Sequence, residues 1–326
     1  MPTRRQLLGA GAATAALAAT ATTAAHHGGS NHPDLSGKTV LITGCSSGFG
    51  FLAAQHFARC GAKVVATMRN LPRPEADALL ASVADENLDI HIVEIDVLDD
   101  ASATTGVAEA ERLAGGAIDV LVNNAGISTS GPVEVSDMAA AELMFGTNVY
   151  GPQRMARAAL PKMREKGGGV IINVTSQLGR VMYPGFGLYS GTKFALEAMS
   201  EQMAYELAPR GVEVSIVQPG GYPTEIWENA QANTRALYAR EDDARLAAYP
   251  ELTQLSENGG GGTTDPMDVP RAMADIAAMA PGTRPLRRPV HPGRKPQTAI
   301  NEVSAKTQMA MLESGPFGAW AKDVLG

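Results

Sequence analysis

The chain has 326 residues, 44% of them hydrophobic, which is enough to bury one large core, and 34 Asp and Glu against 27 Lys and Arg leave it at a formal charge of −7. That balance, with no run of five or more cations, excludes the cationic face that nucleic acid requires and points to a small-molecule partner.

The chain opens on MPTRRQLLGAGAATAALAATATTAAHH, in which Arg4 and Arg5 precede an uncharged run from Gln6 to Ala25 dominated by Ala, Leu and Thr. Small residues near Ala19 to Ala25 suit a signal peptidase. The stretch resembles a twin-arginine export signal, because Thr3, Arg4 and Arg5 are followed at the right offset by Leu7 and Leu8. Residues 1–25 are therefore expected to engage the twin-arginine (Tat) export machinery and to deliver a folded protein to the periplasm or beyond, with a cytoplasmic location if the signal is not used. Residues 26–36 read as a solvated linker. His26, His27 and His32 lie there without a packed shell of ligands, so no metal site is expected. No later segment approaches the roughly 20 apolar residues that span a bilayer.

From Lys38 short β-branched runs alternate with helical stretches: TVLITG, KVVATM, DIHIVEID, DVLVNNAG, GVIINVTS and VEVSIVQPG. Each run is nearly continuous in apolar residues, as strands buried on both faces of a parallel sheet must be. Helices over Gly48–Cys60, Pro74–Ala84, Asp100–Ala114, Ser136–Lys166 and Leu188–Arg210 cover those faces, giving a single α/β domain, a doubly wound parallel sheet over residues 37–292. Within it residues 224–262, polar and Ala-rich, read as a helical lid. DPMDVPRAMADIAAMA reads as a helix, RRPVH as an edge strand, and residues 293–326 as a C-terminal extension. Cys45 and Cys60 flank the first helix, so its rise sets them roughly 20 Å apart, beyond disulfide reach; both read as small core residues.

The first strand ends in TGCSSGFG. Gly44, Gly48 and Gly50 let the backbone turn and approach a pyrophosphate, and the helix that follows aims its free N–H groups and positive dipole end at those oxygens. Tyr189 and Lys193 stand four apart in YSGTK, on one face of a helix, where an ammonium is expected to lower the phenol pKa toward working pH so that it can trade protons with an alcohol or carbonyl.

The spacing GxxxGxG, the run Asn123 to Gly126 (NNAG), TNVYG, Ser176 after the fifth strand, YxxxK and QPGGYPT together resemble the short-chain dehydrogenases and reductases, in the compact TGxxxGxG and YxxxK branch. The resemblance implies a Rossmann fold and an enzyme moving hydride between NAD(P) and a carbonyl or secondary alcohol. It implies a catalytic set of Asn148, Ser176, Tyr189 and Lys193: Tyr189 as acid or base, Ser176 at the substrate oxygen, Asn148 holding a water that links Lys193 to solvent. It also implies cofactor contacts from Gly44, Ser46, Ser47, Gly48, Phe49, Gly50, Asp96, Val97, Asn124, Ala125, Gly126, Pro219, Gly220 and Thr224, with Tyr189 and Lys193 again at the nicotinamide ribose. KVVATMRN ends in Arg69 and offers no acid for a ribose 2'-OH, so Arg69 is assigned to a 2'-phosphate and NADP is favoured over NAD. Tyr183, Phe186, Tyr222, Ile226 and Trp227 flank these motifs and point to an apolar substrate. Relatives commonly form homo-oligomers through the helices that carry Asn148 and Tyr189. A noncatalytic NADP-binding sensor and a sugar-nucleotide epimerase or dehydratase remain as alternatives; the extended spacing TGxxGxxG usual in the latter is not the spacing here.

Overall fold

The structure, a computed structural model, describes residues 32–255 and 262–326. The expected leader (1–25), linker residues 26–31 and lid residues 256–261 lie outside the described residues. The first half alternates strands and helices: β1 (Thr39–Ile42), α1 (Gly48–Arg59), β2 (Lys63–Met68), α2 (Pro74–Ala81), β3 (Ile90–Glu94), α3 (Asp100–Ala114) and β4 (Val120–Asn123). Then come α4 (Met138–Phe145), α5 (Gly151–Lys166), β5 (Gly169–Val174), α6 (Gly187–Leu207) and β6 (Val212–Pro219). The chain continues through α7 (Ile226–Tyr238), α8 (Asp243–Ala247), α9 (Pro250–Leu255), α10 (Asp268–Ala278), β7 (Arg287–Val290), α11 (Gln297–Leu312) and α12 (Gly318–Leu325).

The strands form one seven-stranded sheet in the order β3-β2-β1-β4-β5-β6-β7, every neighbouring pair parallel. Side chains alternate between its faces, so the apolar runs feed two cores. Val40 and Ile42 of β1 pack with Phe57 of α1 and Met273 of α10 on one side, while Leu41 packs with Val107 of α3, Met155 of α5 and Ala204 of α6 on the other. The expected edge strand is β7, registered on β6 from Ile216↔Arg287 to Pro219↔Val290.

The long helix expected over Ser136–Lys166 is divided by a wide π turn at Gly146–Tyr150. Pro152 has no N–H for the carbonyl of Asn148, four residues back, and its ring crowds that carbonyl. The Gly151 N–H donates instead to the Gly146 carbonyl, five residues back, which opens the turn that carries Asn148. α2 stops at Ala81, three residues earlier than expected, and the chain tightens into a 3₁₀ turn at Ala84–Glu86. Beyond the sheet α11 is tied down by Asn301 and Gln297, whose side-chain amides donate to Gln218 at 2.7 and 3.3 Å, and α12 packs against α6. Among the described residues no helix is long and apolar enough to cross a membrane.

Strand order reverses between β1 and β4. At such a switch point the loops leaving the two strands diverge above the sheet and leave a crevice at the strands' carboxyl ends.

Candidate active site

The crevice begins with the loop from β1 to α1. Thr43 Oγ1 accepts the backbone N–H groups of Asn124 and Ala125 at 3.0 Å each, and the Asn124 side chain donates to the Thr43 carbonyl at 2.9 Å, so this loop is laced to the one leaving β4. The lacing leaves no room for side chains. Gly44 has φ +72°, and a Cβ there would stand 2.8 Å from Ala125 Cα; at Gly50 a Cβ would stand 2.2 Å from the Gly44 carbonyl oxygen. α1 starts immediately afterwards without a side-chain cap from Ser47, and the Gly48 N–H donates at 2.9 Å to Oε2 of Glu225, from just before α7. A carboxylate thus occupies a donor that a helix N-terminus offers to phosphate.

These loops wall a cleft of about 410 Å³. Of the residues singled out from the sequence, Gly44, Ser46, Ser47, Gly48, Phe49, Arg69, Asp96, Val97, Asn124, Ala125, Gly126, Ser176, Tyr189, Lys193, Pro219, Gly220 and Thr224 line it. Gly50 lies behind the loop where its missing side chain is needed, and Asn148 is fully buried beneath the floor. Phe186, Tyr222, Ile226 and Trp227 form the apolar wall, with the Phe186 and Trp227 rings edge to face at 6.2 Å. Tyr183 differs from expectation: it does not line the cleft and is 56% exposed, its ring 6.0 Å from that of Phe186 between centroids.

Arg73 lines the cleft beside Arg69 and was missed in the sequence. It donates to the Arg69 carbonyl at 3.3 Å and pairs with Glu75 at 2.9 Å, bringing a second guanidinium to the end of β2. Its only sequence signal was a cation four places after Arg69, hidden by the intervening Pro72.

Ser176, at the end of β5, and Tyr189 and Lys193, in the first turns of α6, converge on the floor of the cleft. The Ser176 hydroxyl accepts the Leu178 N–H at 3.0 Å and lies on the same side of the cleft as the Tyr189 phenol, on which it acts. Lys193 Nζ lies 5.6 Å from the Tyr189 ring centroid and donates to the Val174 carbonyl at 3.0 Å. The expected lowering of the phenol is not what the environment produces. Desolvation pushes Tyr189 up to about 12, and the neighbouring Ser176 hydroxyl only opposes it, because loss of water disfavours phenolate more than the neighbour favours it. Lys193 is itself buried: desolvation holds its ammonium down to about 8 against the upward pull of Glu197.

Asn148 braces this arrangement. Its side chain accepts the Ile127 N–H and donates to the Ile127 carbonyl, both at 2.9 Å, and donates at 3.0 Å to Thr192 Oγ1, which donates onward to the Tyr189 carbonyl at 2.7 Å. A Cβ built on Gly126 would stand 3.3 Å from Asn148 Oδ1 and 3.6 Å from Lys193 Nζ, so both polar ends reach one point below the cleft. Glu197, one turn beyond Lys193 and also missed in the sequence, accepts from Thr175 and Gln218 at 2.8 Å each and pairs with Arg287 at 2.8 Å. Its charge is balanced within the core.

Taken together, a parallel sheet of this order, a glycine cradle opening a helix at the switch point, and a serine, tyrosine and lysine on the cleft floor define a nicotinamide-dinucleotide oxidoreductase of the Rossmann type. The family profile of the short chain dehydrogenases matches residues 38–235, and the chain belongs to that family. It is 35% identical over 258 residues to the uncharacterized oxidoreductase YusZ of Bacillus subtilis (strain 168), covering 79% of this chain and 90% of that one. Among solved structures it resembles a short-chain dehydrogenase from Streptomyces avermitilis with a TM-score of 0.67 and 30% identity, covering 85% of this chain and 96% of that one. It also resembles a gluconate 5-dehydrogenase from Burkholderia cenocepacia in complex with NADP and tartrate, with a TM-score of 0.56 and 30% identity over 63% of this chain and 78% of that one.

Proposed function

We propose that this short-chain dehydrogenase uses NADP(H) to interconvert a carbonyl and a secondary alcohol on an apolar small molecule, with Tyr189 as acid in reduction and base in oxidation. The observation that carries the reading is the convergence of Ser176, Tyr189 and Lys193 on the one glycine-lined cleft. Gly44, Ser46, Gly48, Asn124 and Gly126 would hold the dinucleotide, Arg69 and Arg73 its 2'-phosphate, and Thr224 and Pro219 its nicotinamide end. A nicotinamide bound there supplies or accepts the hydride.

The chain's own residues do the rest. A phenol kept protonated by burial is ready to donate to a carbonyl oxygen, and the Ser176 hydroxyl steadies the same oxygen as negative charge builds on it. Lys193 carries its charge below about pH 8, where it favours the phenolate left after transfer. Asn148 holds the first turn of α6 through Thr192 and stands at the inner end of a route from Lys193 to water. α7 closes the substrate side, for Thr234 Oγ1 accepts the Ser130 N–H at 2.9 Å and Asn233 donates to the Ser128 carbonyl at 3.2 Å; the segment from α7 to α9 serves as the lid.

The test is a panel of hydrophobic ketones with NADPH, assayed on the parent chain and on Tyr189→Phe. Removing the proton donor is expected to lower kcat by about 10³-fold, within the range for one acid-base group, with dinucleotide affinity unchanged. Equal turnover in the two proteins would leave a dinucleotide-binding protein without this chemistry.

The proposal includes export of the folded, loaded protein through the Tat machinery, read by the mass of the mature N-terminus in protein taken from its native compartment. It also includes a homo-oligomer through the face where Met138 is 71% and Tyr150 48% exposed, read by light scattering.

A further inference from the structure

α1 carries a second group of reactive side chains at the end away from the glycine loop, about 18 Å along the helix from Gly48. His56 in its last turn and Cys60 at its C-terminus are buried where α1 packs on α10. His56 Nε2 and Cys60 Sγ lie 3.9 Å apart, and the His32 ring stands edge-on to that of His56 with centroids 5.1 Å apart. One ligating atom from each of the three lies within 4.8 Å of the other two. Two imidazoles and a thiol converging this closely far from the cleft have no part in the dinucleotide site.

We propose that His32, His56 and Cys60 bind one borderline-soft divalent metal ion, zinc, and thereby fasten the segment preceding β1 to the end of α1. The donor set decides the metal class: two nitrogens and a sulfur suit zinc, whereas calcium and magnesium take oxygen. The spacing fits as well. Tetrahedral bonds of about 2.3 Å to sulfur and about 2.0 Å to nitrogen put N and S roughly 3.6 Å apart, so the His56 and Cys60 pair needs an adjustment of only about 0.3 Å. The remaining closure, about 1 Å, falls to His32, which is exposed at the beginning of the described chain and can move without disturbing the core.

The surrounding charges permit a cation. Arg59 and Arg271 face His56, but the first is paired with Glu86 at 2.6 Å and the second with Asp265 at 2.8 Å. The Asp275 carboxylate of α10 acts on Cys60 and adds a negative charge on that side. Binding exchanges the thiol proton for the metal: Cys60 S–H becomes a thiolate bonded to zinc, the proton passes to solvent, and no redox step is involved. Water completes the fourth position.

The test uses the full chain, dialysed after exposure to zinc, with His32→Ala and Cys60→Ala beside it. One equivalent of zinc is expected to remain on the parent chain, and cobalt in its place should give visible d–d bands with thiolate-to-metal charge transfer in the near ultraviolet. Charge transfer should vanish in Cys60→Ala. Zinc at a hundredfold excess over its Kd should raise the parent's Tm by on the order of 5 °C, and this rise should be largely lost in His32→Ala, a surface change that leaves NADPH binding intact. Zinc retained well below one equivalent, cobalt bound without thiolate charge transfer, or the same zinc-dependent Tm rise in His32→Ala would each overturn the site.

Discussion

Replacing Glu225 by Gln should tighten NADPH binding. The Glu225 carboxylate accepts the Gly48 N–H at 2.9 Å, the donor the diphosphate is proposed to use, so the dinucleotide must displace it. A hydrogen bond to a charged acceptor contributes about 1.5–3 kcal/mol when sheltered, but Glu225 is exposed, and a charge at a helix N-terminus in water contributes about 0.3–1 kcal/mol. Taking about 1 kcal/mol for the contact, the amide variant should bind NADPH roughly fivefold more tightly. Repulsion between carboxylate and diphosphate adds in the same direction, and both effects should shrink as salt rises. Trp227 lines the cleft, so quenching of tryptophan emission during an NADPH titration measures the Kd directly. An unchanged or weaker Kd at low salt would show that Glu225 and the diphosphate do not compete for Gly48, and the placement of the phosphates against α1 would have to be abandoned.

Arg69→Ala should weaken NADPH about tenfold while leaving NADH nearly unaffected, since only the former carries the charge that a guanidinium pairs with; equal losses for both would remove the NADP assignment. Gly50→Ala forces a Cβ to within 2.2 Å of the Gly44 carbonyl oxygen, backbone that cannot yield cheaply, and should cost roughly 1–3 kcal/mol in urea unfolding. Gly116→Ala, with nothing within 4 Å of the added Cβ, should be close to neutral, and a similar loss in both would refute the close-packing argument. For ketone reduction, kcat/KM should fall as pH rises through about 8, where Lys193 loses its proton, and a profile flat across that pH would count against its role. The linked stability runs the other way. Burial lowers Lys193 from 10.5 to about 8, so its penalty on the folded state is complete below about 8 and disappears as pH climbs toward 10.5. Urea midpoints of the parent and Lys193→Met should therefore converge over that window.

Much of the molecule was legible because the signals are local. A strand buried on both faces needs an unbroken apolar run, which is why TVLITG and GVIINVTS could be placed before any contact was known. Tyr189 and Lys193 share a helical face by their spacing alone. The rest depends on distance along the chain. Glu225 meets Gly48 across 177 positions, Arg73 reaches the cleft only after the chain turns beyond Pro72, and His32 finds His56 and Cys60 only when α1 has docked. The wide turn at Asn148 was written in Pro152, whose missing N–H breaks the helical ladder four residues earlier, but the apolar periodicity of the region concealed it.

The sign of the Tyr189 shift is the most instructive of these differences, because spacing fixes which groups are neighbours but not how much water remains between them. Four residues of helix bring an ammonium near a phenol, and in water that neighbour would lower the phenol. Here the same folding that brings them together also buries Lys193 and half-buries Tyr189, and desolvation acts on each against its own charge: the phenol rises to about 12 and the ammonium falls to about 8. Below about 8 the pair is held as neutral tyrosine beside a charged lysine, each still carrying its proton. That is a site poised to donate a proton at neutral pH. Oxidation of an alcohol must first take the phenol's proton away, so in the protein alone the reductive direction meets the smaller protonation cost.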